Sequence, residues 1–268
     1  MKHVKYGIGL WIALLMCTTS VAEEITLYTI HFPPYSIDAN LVPAVEPISY
    51  PDNMYGSDID LIRAAMATQG IEVKFEILPW KRIMRDVKAG QSLGAVSCRP
   101  MAERDSFALF SNTVSYSAMV MATQKDFLGE QKVQPLEVLR KHRPVVIAGW
   151  AQEVLLTSAE IAFTDVNNIA QGAALVLHRD QDVFVTDKES LLYVLDQLGI
   201  EQKFSFYQIE GIDHDNYTVC FSRGYPDAHR YLQALNRGLD EIKRSGHMAS
   251  IFERYDMSMA IDHIRVRE

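Results

Sequence analysis

Short strand-like runs alternate with glycine-ended amphipathic segments along most of this 268-residue chain, and that alternation admits few classes of fold. Ile25 to Ile30 (ITLYTI) is rich in β-branched and aromatic residues and reads as a first strand. His31 to Tyr35 (HFPPY) breaks it, because adjacent prolines cannot continue a sheet. A surface loop follows over residues 36–55, with prolines at 43, 47 and 51. Ser57 or Asp58 is expected to cap the next helix, whose Ile59, Ile62 and Met66 share one face and which Gly70 ends. Val73 to Leu78 alternates as a second strand. Trp80, Ile83 and Val87 lie at helical spacing before Gly90, and Leu93 to Cys98 is a short, buried third strand.

The middle of the chain repeats this grammar. Val145 to Ala148 reads as a strand ending at Gly149-Trp150, a helix surrounds Ile169 to Leu177, and Val183 to Val185 is a further strand. Asp187 then caps a helix carrying Leu191, Leu195 and Leu198. Short strands alternating with helices predict an α/β fold with parallel sheet. Towards the end, Tyr217 to Phe221 is a strand and Pro226-Asp227 opens a long helix striped with Leu232, Leu235, Leu239 and Ile242. His247 to Tyr255 forms a shorter helix, before a polar tail from Asp256 to Glu268.

The N-terminus has its own pattern. Lys2 and Lys5 precede an apolar run from Ile8 to Met16, and Ser20-Val21-Ala22 forms an A-x-A-like site before Glu23-Glu24. This is the order of a cleavable signal peptide over residues 1–22, and the run is shorter than the ~20 apolar residues of a membrane span. Met16 stands before Cys17 where a lipid anchor needs a small residue, so the expected product is a free exported protein. Loss of Lys2 and Lys5 leaves 24 of 26 basic residues against 34 acidic ones, a net charge of −10. A chain so acidic is poorly suited to nucleic acid or anionic lipid. Cys98 and Cys220 remain after cleavage: a disulfide, or two buried thiols.

Enzyme motifs are scarce. The eight His show no HExxH or His-x-His spacing, and His214 reads as a loop residue. No G-x-S-x-G or phosphate-binding glycine loop is present. Asp58-Ile59-Asp60 resembles a metal-binding DxD, but at a helix start one acid caps and the other faces solvent. No metal or cofactor is expected.

Several segments, in order, carry a likeness to a known family. They are Phe32-Pro33-Pro34-Tyr35, Gly56-Ser57-Asp58-Ile59-Asp60-Leu61, Pro79-Trp80-Lys81-Arg82, Glu103-Arg104 through Phe110-Ser111, Asp182 to Asp187, and the ending from Asn236 to Tyr255. Together they resemble the bacterial extracellular solute-binding proteins of family 3, the amino-acid-binding type. The resemblance implies a two-lobed periplasmic-binding-protein fold of type II, each lobe a mixed sheet flanked by helices, with a two-strand hinge. Lobe one would be residues 23–116 plus 220–268, and lobe two residues 117–219. In that topology the strands bearing Cys98 and Cys220 are neighbours, which implies a Cys98–Cys220 disulfide beside the hinge.

The resemblance also assigns roles. Arg104, six residues before Phe110, would grip a ligand carboxylate with its guanidinium fork. On its own the residue reads as a surface Arg paired with Glu103 or Asp105. Asp187, five residues after Asp182, would take an ammonium, and its capping role can hold at the same time. Phe32 and Tyr35 are candidates to offer an aromatic face to the ligand, with contact favoured for Phe32 and core for Tyr35, and Ser97 and Arg99 flank the third strand at positions where relatives donate hydrogen bonds. Arg82 belongs to a P-W-x-R subgroup. Three positions depart from the pattern: Trp150 stands where relatives have a small hydroxyl residue, Met101 where many have Thr, and Arg99 where a small residue is usual. Trp150 would shrink the pocket or add a stacking surface. Arg99 would meet an extra anionic group or an internal partner.

The function expected is capture of an amino acid or similar carboxylate-bearing solute by a monomer that delivers it to an ABC importer permease. The alternatives are a dehydratase-like enzyme on the same scaffold, using Asp187 or Glu189, and a sensory subunit for a membrane receptor.

Overall fold

The structure is a computed structural model that describes residues 23–42, 50–178, 181–212, 214–255 and 257. The expected signal segment, Pro43 and Pro47, and the rest of the polar tail lie outside the described residues. In chain order the first elements are β1 (Glu23–Thr29), β2 (Ile37–Asp38), β3 (Met54–Tyr55), α1 (Ser57–Ala67), β4 (Ile71–Ile77), α2 (Trp80–Lys88), β5 (Gly94–Cys98) and β6 (Ala108–Phe110). Then come β7 (Ser115–Gln124), β8 (Val133–Gln134), β9 (Pro144–Ile147), α3 (Ala151–Ser158), β10 (Thr164–Val166), α4 (Ile169–His178) and β11 (Val183–Asp187). The last are α5 (Lys188–Gln197), β12 (Phe204–Ile209), β13 (His214–Ser222), α6 (Ala228–Arg244) and α7 (His247–Arg254).

The main sheet runs β10-β9-β11-β7-β13-β5-β1-β4, and its two ends are each parallel: β1 with β4 and β5, and β9 with β10 and β11. Between them stand two long antiparallel strands. The first part of β7, Ser115 to Ala118, pairs with β13, and the rest pairs with β11 and β12. β13 in turn pairs with β7 through Tyr217 and with β5 and β6 beyond it. These two strands are therefore the connection between the two α/β halves, as a type II periplasmic binding protein requires.

Period-two burial explains the outer strands: Ile71, Val73 and Phe75 of β4 point inward while Glu72 and Lys74 are exposed. Ile59, Ile62 and Met66 of α1 and Leu235, Leu239 and Ile242 of α6 are buried, as their spacing predicts. The two helices cross closely at Gly238, where a Cβ would lie 2.0 Å from the Ala65 carbonyl oxygen.

Four expectations need correction. Neither Ser57 nor Asp58 caps α1. Its first N–H groups donate instead to the carbonyls of Pro34 and Tyr35, both at 3.0 Å, so no side-chain cap is required. Gly56, at φ 127°, permits this approach, since a Cβ there would lie 2.5 Å from the Tyr35 oxygen. Asp60 does not simply face water: it accepts from Tyr255 and Arg254. Leu198 lies beyond α5 and is exposed, and His214 opens strand β13 rather than sitting in a loop.

Candidate functional site

A cavity lies where β1 and β5 end beside the crossing strands, the place where α/β sheets put their ligands. Ile30 and Phe32 follow β1, Val96 and Ser97 belong to β5, and Arg99 and Arg104 lie on the segment leading to β6. Trp80 of α2 and Tyr217 of β13 complete that wall. The opposite wall is Trp150 with Ala151 and Gln152, the first two residues of α3. The void between the walls is about 30 Å³, room for one or two waters, so a solute of more than a few atoms fits there only if the walls separate.

Arg104 is buried. Its Nη1 donates to the Arg99 carbonyl at 2.6 Å and to Cys98 Sγ at 3.4 Å, and its guanidinium lies 5.6 Å from the Trp80 ring centroid. Burial, with the Arg99 charge as a second cause, pushes it down to about 10, so it stays cationic at neutral pH. Neither Glu103 nor Asp105 forms an ion pair with it among the described residues. Arg99 is also buried, with Nη2 donating to the Tyr217 hydroxyl at 3.3 Å. Two guanidinium groups thus share the wall, and no carboxylate is among the described residues lining it.

The apolar part of the wall is aromatic. Phe32 meets Trp150 edge-on at 4.8 Å and Tyr217 at 5.6 Å. Trp150 brings α3 against Phe32, so the ring spans the gap between the halves. Ser97 adopts a left-handed backbone at φ 52°, a strained conformation that turns its hydroxyl to Asp58 at 2.7 Å.

Behind this wall lies a network of acids, two of them fully buried and Glu189 half-buried. Asp187 is fully buried at 0 % exposure and accepts from the Ser190 N–H at 3.0 Å, the Tyr217 hydroxyl at 2.7 Å and the Ser117 hydroxyl. The first bond is the helix cap its position predicts. Glu189 accepts from the Ser117 hydroxyl and the Ala118 N–H. Desolvation, then the neighbouring Asp187, pushes Glu189 up to about 7, and burial likewise lifts Asp187. Asp58, also fully buried, is pushed up to about 7 by desolvation against the hydroxyls around it.

Among the residues singled out from sequence, the fold brings Arg104, Arg99, Phe32, Ser97 and Trp150 to one cavity. Asp187 stands behind Tyr217, off the lining. Tyr35 is core, its ring 5.1 Å from that of Tyr217 and its hydroxyl donating to the Tyr116 carbonyl. Arg82 projects from α2 beside Asp86, away from the cavity. Met101 is not on the lining either. Cys98 and Cys220 form a disulfide with Cα atoms 5.7 Å apart, next to Arg104. The sequence alone did not single out Tyr217 or Gln152 as lining residues, and it marked Trp80 as a helix-face residue within the P-W-x-R segment without placing it at the site.

Residues 37–258 match the family model of bacterial extracellular solute-binding proteins, family 3. Among solved structures, the substrate-binding protein of an ABC uptake transporter from Streptococcus pneumoniae with bound histidine aligns with a TM-score of 0.72 at 14% identity, over 87% of this chain and 92% of that one. The GluR0 ligand-binding core from Nostoc punctiforme in complex with L-glutamate gives 0.70 at 18% identity, over 86% and 98%. A histidine kinase sensor domain with similarity to periplasmic binding proteins gives 0.71 at 16%, over 87% and 95%. At these identities the likeness carries the fold alone. No curated protein sequence matches.

Proposed function

The chain belongs to the bacterial extracellular solute-binding proteins, family 3, and we propose that it captures a small carboxylate-bearing solute, an amino acid or a similar compound, for delivery to an ABC importer permease. In this reading residues 1–22 are a cleaved signal peptide and the mature protein works as a monomer in the periplasm. Residues 23–116 with 220–268 form one lobe and 117–219 the other, and the two close on the ligand by hinge motion at β7 and β13.

The observation that carries the reading is Arg104: a buried guanidinium on the wall of a cavity at the junction of the halves. Such a group suits bidentate pairing with a carboxylate that has left water. Phe32 and Trp150 supply the stacking surface. An enzyme reading needs an acid in the cleft, and neither Asp187 nor Glu189 is on the lining.

A thermal-shift screen of the purified protein against amino acids, polyamines and organic acids tests this. Ligand that binds only the folded state raises the melting midpoint by mass action. Carboxylates are expected to do so and polyamines not. Stabilisation by polyamines alone, or turnover of a stabilising compound, would refute it.

A further inference from the structure

Arg104 is carried by a turn that does little to hold its side chain: of residues 102–106, Arg104 alone is buried. What fixes the guanidinium lies at the end of β5. Nη1 donates to the Arg99 carbonyl at 2.6 Å and to Cys98 Sγ at 3.4 Å, while Nε and Nη2 make no hydrogen bond among the described residues. Resting on the solute-binding reading above, we propose that the Cys98–Cys220 disulfide is a positioning element of the site. It holds the Nη1 corner of Arg104 in place, which leaves the Nε–Nη2 edge to the solute. That edge is a fork able to take a carboxylate bidentately.

The bond sits where backbone pairing lapses. Cys98 is the last residue of β5 and pairs with Thr218 of β13, whose Oγ1 donates to the Cys98 carbonyl at 2.9 Å. Beyond that pair the ladder shifts register between Thr218 and Cys220. Such irregularities bend a strand and re-aim its side chains. The disulfide spans this one, tying the end of β5 covalently to the crossing strand. Both cysteines are fully buried in one cluster with Trp80, whose ring centroid lies 5.6 Å from the Arg104 guanidinium. Sulfur and indole thus bracket the same cation. An arginine side chain has large rotamer freedom, so holding it before the solute arrives removes part of the ordering cost of binding.

The test is calorimetric titration of histidine, glutamate and benzoate into four purified proteins. They are wild type, Cys98→Ala with Cys220→Ala, Arg104→Lys, and all three substitutions together. Each is titrated where circular dichroism shows it folded, with sucrose added to offset lost stability. Loss of the disulfide is expected to weaken the probe that binds wild type by about three- to tenfold, the ordering cost of one long side chain. In the Arg104→Lys background the same loss is expected to change affinity by less than about twofold, because an ammonium has no fork to orient. Wild type in dithiothreitol, with both thiols confirmed by mass after alkylation, is a second route that deletes neither sulfur. It is expected to show the same weakening. Equal weakening with arginine and with lysine at position 104 makes the bond a general staple and overturns the proposal, as does unchanged affinity without the disulfide; the solute-binding reading then stands. Failure of all three probes to bind folded wild type overturns that reading and the positioning role with it.

Discussion

The charged residues at and behind the cavity wall fall into two groups. Arg99 and Arg104 are cations held at the surface of the void, and behind it serine and tyrosine hydroxyls bond the buried Asp58 and Asp187 and the half-buried Glu189. The acids carry a pH signature. Burial lifts Glu189 from an ordinary 4.5 to about 7 and Asp58 from 3.8 to about 7. Their folded-state pKa lies above the unfolded one, so the native state holds protons that the unfolded chain releases. The associated stability is complete below about pH 4 and is lost as pH rises through 7. Melting midpoints are therefore expected to fall between about pH 5 and 8, by roughly 1–3 kcal/mol in stability for one such group. Glu189→Gln is expected to flatten that slope, and an unchanged slope would mean that Glu189 does not titrate in this window.

Which elements were legible from sequence follows from where their apolar faces look. β4 and α6 each bury one face and turn the other to solvent, so their periodicity is plain in Ile71/Val73/Phe75 and Leu235/Leu239/Ile242. Strand β7, SYSAMVMATQ, is buried on both faces and carries polar hydroxyls that hold the acid network, so no period marks it. The cap of α1 was misread because its donors find backbone carbonyls from the Pro33-Pro34 loop, a long-range contact that no local signal encodes. Likewise Arg104 and Arg99 could be named from sequence, but Tyr217 as the partition before Asp187 required the crossing of β7 and β13. Two outcomes belong to this scale. Gly238→Ala forces α6 off α1 and is expected to cost about 1–3 kcal/mol in denaturant unfolding. Reduction of Cys98–Cys220, which spans 122 residues, is expected to cost about 4 kcal/mol on the chain-entropy model. A midpoint unmoved by reductant would contradict a structural role for that bond.

Taken whole, the molecule is two α/β halves joined by two strands, with its cavity at the joint and almost no space inside it. In the proposed reading, a solute of more than a few atoms parts Trp150 from Phe32 on entry, and closure would then remove its carboxylate from water against the buried Arg104 guanidinium. That coupling of closure to one ion pair is the central claim, and Arg104 is where it stands or falls. Calorimetric titration of the strongest carboxylate from the screen against wild type, Arg104→Lys and Arg104→Ala tests it most directly. Loss of a buried, bidentate pair is expected to weaken binding by about 2–4 kcal/mol in Arg104→Ala and by less in Arg104→Lys, with both variants folded. An affinity in folded Arg104→Ala equal to that of wild type would contradict the claim.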